Sequence, residues 1–192
     1  MTTLAGPFRY ALEVKGSRFI AKAAPVGSPQ AALEWLAQAR EPEATHNVWA
    51  YKIGLLYRFA DDGEPAGTAG RPVLSAIEGQ GLDGVMVVVT RYFGGVKLGA
   101  GGLIRAYSGA AAECLRQAPK REVLPMARLR LQAPFELSNT VFHLLTGVQR
   151  ESETYTEQGF QLVLLLEEAQ LESFAERLRD LSRGRAQLER LP

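Results

Sequence analysis

The chain has 192 residues, 46% of them hydrophobic, and a formal net charge of +1. That is enough apolar surface for one large or two small cores, and too balanced a charge to imply a nucleic-acid partner from composition alone. The longest apolar runs, 85–89 and 162–166, fall far short of a membrane span, the amino terminus carries no signal-peptide pattern, and the single cysteine, Cys114, excludes an internal disulfide or a thiolate metal cluster. A cytoplasmic protein without membrane contact is expected.

The first strands are predicted at 10–14 and 19–26, joined by a Lys-Gly-Ser-Arg turn at 15–18. Ser28 is placed to cap a helix with Pro29 in its first position and Ala32, Leu33, Leu36 and Ala37 on its core face, ending by Arg40. Two strands follow at 47–53 and 55–60 around Gly54, then the turn-rich DDGEPAGTAGRP and a short helix near 73–78. Residues 85–89 are a β-branched run suited to a strand covered on both faces. From Leu103, apolar residues at Ile104, Tyr107, Ala110, Ala111, Cys114 and Leu115 recur at helical spacing, so Cys114 reads as a buried structural thiol. Pro119 and the charges of QAPKREVLP then mark a boundary, dividing the chain into domains 1–120 and 121–192. The first carries 13 Lys and Arg against 10 Asp and Glu, the second 9 against 11.

Beyond the boundary, Ala127, Leu129, Leu131 and Ala133 alternate with polar residues as a half-buried strand does. Leu137, Val141, Leu144, Leu145 and Val148 mark a helix. Two strands surround Gly159, a helix carries Leu171, Phe174, Ala175, Leu178 and Leu181, and a last strand spans 185–191. This βαββαβ order predicts an antiparallel sheet with helices on one face, the ferredoxin-like arrangement, and an α+β class overall.

The candidate site is the strand exit RYFGGVKLGAGGLIRAY at 91–107. Gly94, Gly95, Gly99, Gly101 and Gly102 permit positive φ and close backbone approach, so that N–H groups turn toward an anion, and the following helix aims its N-terminus at them. No acidic residue occurs between Asp83 and Glu113, whereas Arg91, Lys97 and Arg105 do, which makes the local field positive. Tyr92 and Phe93 alternate at the strand exit, so one aromatic is open to stack on a base or both close the core. The glycines also suit a purely structural role, and neither GxxxxGK[ST] nor GxGxxG is present.

Asp61, Asp62 and Glu64, with His46, are the alternative chemistry: a divalent-ion site or an acid and base. Asp-Asp-Gly is also what a turn requires, and the spacing is not that of a calcium loop. His46 and His143 lack zinc spacing, Ser75 and Ser108 lack a nucleophile-elbow setting, and Trp35 and Trp49 read as packing residues.

Two segments, RFADDGEPAGTAGRP at 58–72 and RYFGGVKLGAGGLIRAY at 91–107, resemble the signature segments of the YigZ/IMPACT family, and the resemblance extends over essentially the whole chain. It implies an IMPACT domain resembling the second domain of ribosomal small-subunit protein five, followed by a ferredoxin-like domain resembling the last domain of elongation factor G. It further implies a regulatory link to translation and supplies neither catalytic residues nor a cofactor. The expected function is a cytoplasmic binding protein that contacts RNA or the ribosome, or a protein partner in translation control. Its anion-binding residues would be Arg91, Tyr92, Gly94, Gly95, Lys97, Gly99, Gly101, Gly102 and Arg105. The alternative is an enzyme or sensor holding a phosphorylated metabolite or nucleotide at the same loop. No sequence-specific DNA site is expected.

Overall fold

The structure, a computed structural model, describes residues 1–192. Two units, Met1–Val123 and Leu124–Pro192, each enclose their own core.

The first unit runs β1 (Thr2–Leu4), β2 (Phe8–Val14), β3 (Ser17–Pro25), α1 (Pro29–Ala39), β4 (His46–Ile53), β5 (Leu56–Ala60), α2 (Gly70–Gly79), β6 (Val85–Tyr92), α3 (Gly99–Gln117) and β7 (Lys120–Glu122). Five strands form one sheet in the order β2-β3-β6-β4-β5, every neighbouring pair antiparallel. β6 is central, and its period-2 alternation divides two cores. Val85, Val87 and Val89 pack with Leu74, Ile77, Leu103 and Leu115 of α2 and α3, while Met86 and Val88 pack with Ala32 of α1, Tyr51, Trp35 and Trp49. The continuous apolar run at 85–89 is thus explained by burial on both faces.

Local signals account for the other elements. The Ser28 hydroxyl accepts the Ala31 N–H at 3.1 Å and Pro29 opens α1. The β2–β3 hairpin turns on Lys15 (φ 47°) and Gly16 (φ 81°), two successive positive φ angles that match the twist of the flanking strands. α2 begins at Gly70, three residues before the predicted start, because Asp61 reaches across to accept the N–H groups of Gly67 (3.0 Å), Ala69 (3.2 Å) and Gly70 (2.8 Å). α3 begins at Gly99 rather than Leu103, so Gly101 and Gly102 are helical and Gly99 (φ 72°) opens the helix. The sequence 117–125 does end α3, but Lys120–Glu122 then forms β7, which pairs with β1 in a two-stranded ribbon absent from the sequence reading.

The second unit runs β8 (Met126–Pro134), a 3-10 turn at Phe135–Leu137, α4 (Ser138–Leu144), β9 (Gln149–Tyr155), β10 (Gly159–Glu167), α5 (Leu171–Ser182) and β11 (Gln187–Arg190). The βαββαβ order is observed, in an antiparallel sheet ordered β11-β8-β10-β9. Leu129, Leu131, Leu162 and Leu164 face Val141, Phe174 and Leu178 across its core. α4 is shorter than its apolar spacing predicts, since the chain turns at Gly147 (φ 83°) before β9. No helix of the chain is long and apolar enough to cross a membrane.

Candidate functional site

The site grows from the end of β6. On a strand, Arg91 shares a face with Val87 and Val89, and the structure accordingly points it into the α2/α3 side of the sheet, where it is 4% exposed. A buried guanidinium needs a partner. Glu64, itself buried in the turn before α2, accepts from Arg91 Nη1 at 2.6 Å through Oε1, and the same oxygen accepts from Tyr107 Oη at 2.7 Å. Arg91 Nη2 donates to Ser17 Oγ at 3.2 Å, and the guanidinium lies 5.5 Å from the ring centres of both Phe19 and Phe93. His46 joins from β4: its Nε2 is 3.6 Å from Glu64 Oε1 and its Nδ1 donates to the Asp62 carbonyl at 2.7 Å. Burial, then the hydrogen bond to Glu64, pushes the Tyr107 phenol well above its ordinary pKa, so this hydroxyl is a fixed donor rather than a base.

This arrangement corrects the expectation that Arg91 is one of the anion-binding residues. Its charge is matched inside the fold by Glu64, and it anchors the root of the glycine segment. Tyr92 faces the opposite side of the sheet and donates to Glu41, which raises its phenol to about 12. The exposed aromatic is therefore Phe93 (48%). Glu41 also accepts from Lys22 at 2.6 Å; burial works against its ionisation, but the Lys22 and Tyr92 hydrogen bonds prevail and hold its pKa low.

The five glycines divide by role. Gly94 lies against the β2–β3 turn so closely that a methyl group on it would stand 2.0 Å from the Gly16 carbonyl carbon, making it a structural contact. Gly95 (φ 90°) and Gly99 (φ 72°) are exposed with open space at their Cα atoms. Gly101 and Gly102 lie in the first turn of α3, where the N-cap is Leu98, no side chain caps the helix and no acidic residue is present. The predicted loop nest is thus replaced by the orphan N–H groups of a helix end. Lys97 and Arg105 flank that end, exposed and outside every ion pair of the unit, and a methyl group on Gly101 would be 3.4 Å from the Arg105 guanidinium.

The two sequence segments that stood out, 58–72 and 91–107, are brought together by the Glu64–Arg91 and Glu64–Tyr107 contacts. The sequence groups Glu64 with His46 but carries no sign that Ser17 and Tyr107 join them. The signal available was strand parity: an arginine two residues after Val89 in a buried strand must face the core.

A model of the Impact N-terminal domain matches residues 15–115, the span that holds both segments. The chain belongs to the IMPACT family. An IMPACT family member of Thermus thermophilus is 51% identical over 178 residues, covering 92% of this chain and 99% of that protein. YigZ, an IMPACT family member of Escherichia coli (strain K12), is 35% identical over 192 residues, covering 96% and 94%. Mouse protein IMPACT is 40% identical over 93 residues, which is 43% of this chain and 29% of that one. A crystal structure of a hypothetical protein superimposes with a TM-score of 0.78 at 33% identity, covering 100% of this chain and 97% of the other.

Proposed function

We propose that this IMPACT-family protein is a cytoplasmic binding protein with a regulatory role in translation, contacting RNA or the ribosome through the surface formed by Lys97, Arg105 and the uncapped start of α3. The carrying observation is that these two cations stand unpaired beside exposed helix N–H groups, in a stretch without acidic residues from 84 to 112. Phosphate oxygens satisfy such donors, Arg105 by its fork and Lys97 as a point charge, and Phe93 at the rim offers a face for a base. The link to translation rests on family membership. Family membership further implies that the first unit would resemble the second domain of ribosomal small-subunit protein five and the βαββαβ unit the last domain of elongation factor G, likenesses of fold that accord with such a role. Arg91, which is buried, is outside the proposed contact surface.

With two phosphate-contacting cations, the logarithm of the affinity for single-stranded RNA should fall against the logarithm of salt with a slope of about −1.4. The test is binding of purified protein to ribosomes and to single-stranded RNA across a salt series, with a Lys97→Gln/Arg105→Gln double variant as the comparison. Binding that weakens with salt and is lost in the double variant supports the reading. Salt-independent binding, or full retention by the variant, overturns it.

A further inference from the structure

Beside α3, between its first turn and the β2–β3 hairpin, lies a cleft of about 330 Å³, the size at which small-molecule sites begin. Leu12 and Val14 of β2 and Leu98 form its apolar wall, and Gly102 completes it, where a methyl group would stand 3.0 Å from Leu98 Cβ. Its only ionisable lining groups are Lys15, held at the hairpin tip in the left-handed region, and Arg105. Neither forms an ion pair, and no carboxylate lines the cleft. An apolar wall with two unneutralised cations describes its ligand by complementarity: an anionic head on a small apolar body.

We propose that this cleft binds a small phosphate monoester of an alkyl or aryl alcohol, the phosphate held by Lys15 and Arg105 and the organic group lying on Leu12, Val14 and Leu98. Two cations match a dianion better than a single carboxylate, and the Arg105 fork suits phosphate oxygens. The inference goes beyond the RNA-facing surface: it shares Arg105 and the Leu98–Gly102 start of α3 with it, but Lys15 and the β2 wall belong to the cleft alone, so it stands or falls without RNA. Occupancy would cover the Arg105 charge and compete with any phosphate backbone there.

The full chain is titrated by NMR or calorimetry with methyl phosphate, butyl phosphate and pentanoate. Each methylene buried in the cleft should tighten binding about fourfold, so butyl phosphate is expected to bind at least tenfold more tightly than methyl phosphate. Lys15→Gln is expected to weaken both phosphates about fivefold or more, whereas Leu98→Ser should flatten the dependence on chain length and leave methyl phosphate unchanged. Absence of binding, indifference to chain length, or unchanged affinity in a folded Lys15→Gln protein overturns the proposal. Pentanoate binding as tightly as butyl phosphate overturns the assignment to phosphate esters, and co-sedimentation with vesicles carrying phosphatidic acid overturns the assignment to a soluble ligand.

Discussion

Arg91 and Lys97 lie six residues apart and were alike to a reading of charge, yet they do opposite things. Lys97 faces water; Arg91 is enclosed by Phe19, Phe93, Ser17 and Glu64. Breaking a buried pair strands the other charge, so Arg91→Met should destabilise the first unit by about 3–5 kcal/mol, while Lys97→Gln should change it by less than about 0.5 kcal/mol. Denaturant unfolding measures both, and equal effects would contradict the assigned environments. The distinction has a practical side: removing Arg91 in an RNA-binding test would report unfolding, not contact. Charge counting missed the difference because a positive field depends on which cations are already neutralised, and Glu64 lies 27 residues away from Arg91 in sequence. Strand parity held the answer for Arg91 but could not name its partner.

At the scale of elements, glycine decides where the site is rigid. The apolar stripe from Leu103 correctly marks the core face of α3 but misplaces its start, because glycine is a poor helix former and the extra turn from Gly99 is exposed, with no buried side chain to mark it. The Ser28 cap and the Lys15-Gly16 turn were legible because each is a local device, whereas the β1–β7 ribbon joins residues some 120 positions apart and leaves no local trace. Gly94 and Gly16 are another such long-range contact. A methyl group on Gly94 would meet the Gly16 carbonyl carbon at 2.0 Å and the Ser17 nitrogen at 2.4 Å, all backbone atoms with no rotamer to yield. Gly94→Ala should therefore cost about 2–3 kcal/mol or more and shift the amide resonances of the β2–β3 turn. Gly95→Ala meets no neighbour and carries only the strain of a positive φ, about 1–2 kcal/mol. If the two variants unfold together, the close crossing is not what holds the glycine segment in place.

Over the whole molecule, the probes of stability are unevenly placed, and this makes the first unit separately observable. Cys114, Trp35 and Trp49 all belong to Met1–Val123; the second unit contains no cysteine or tryptophan. Cys114 packs in the α2/α3 core and the tryptophans in the α1 core, on opposite faces of one sheet whose central strand β6 contributes to both. Shared strands bind the two faces into one cooperative unit, so thiol labelling and tryptophan fluorescence should report the same denaturation midpoint, and separated midpoints would mean that the α1 layer opens alone. The same thiol sets a pH dependence. Burial pushes Cys114 up to about 12 from its ordinary 9.0. A folded pKa raised above the unfolded one contributes stability that is complete below pH 9 and is lost as pH rises toward 12, because the unfolded chain releases its proton first. The first unit should lose up to about 1.4 kcal/mol per pH unit from this group within that window. Cys114→Ala should remove that part of the slope, leaving at higher pH the contributions of Tyr107 and Tyr92, whose phenols are also held protonated. A variant with the wild-type alkaline slope between pH 9 and 10 would show that Cys114 reaches solvent in the folded protein, against its position in the core.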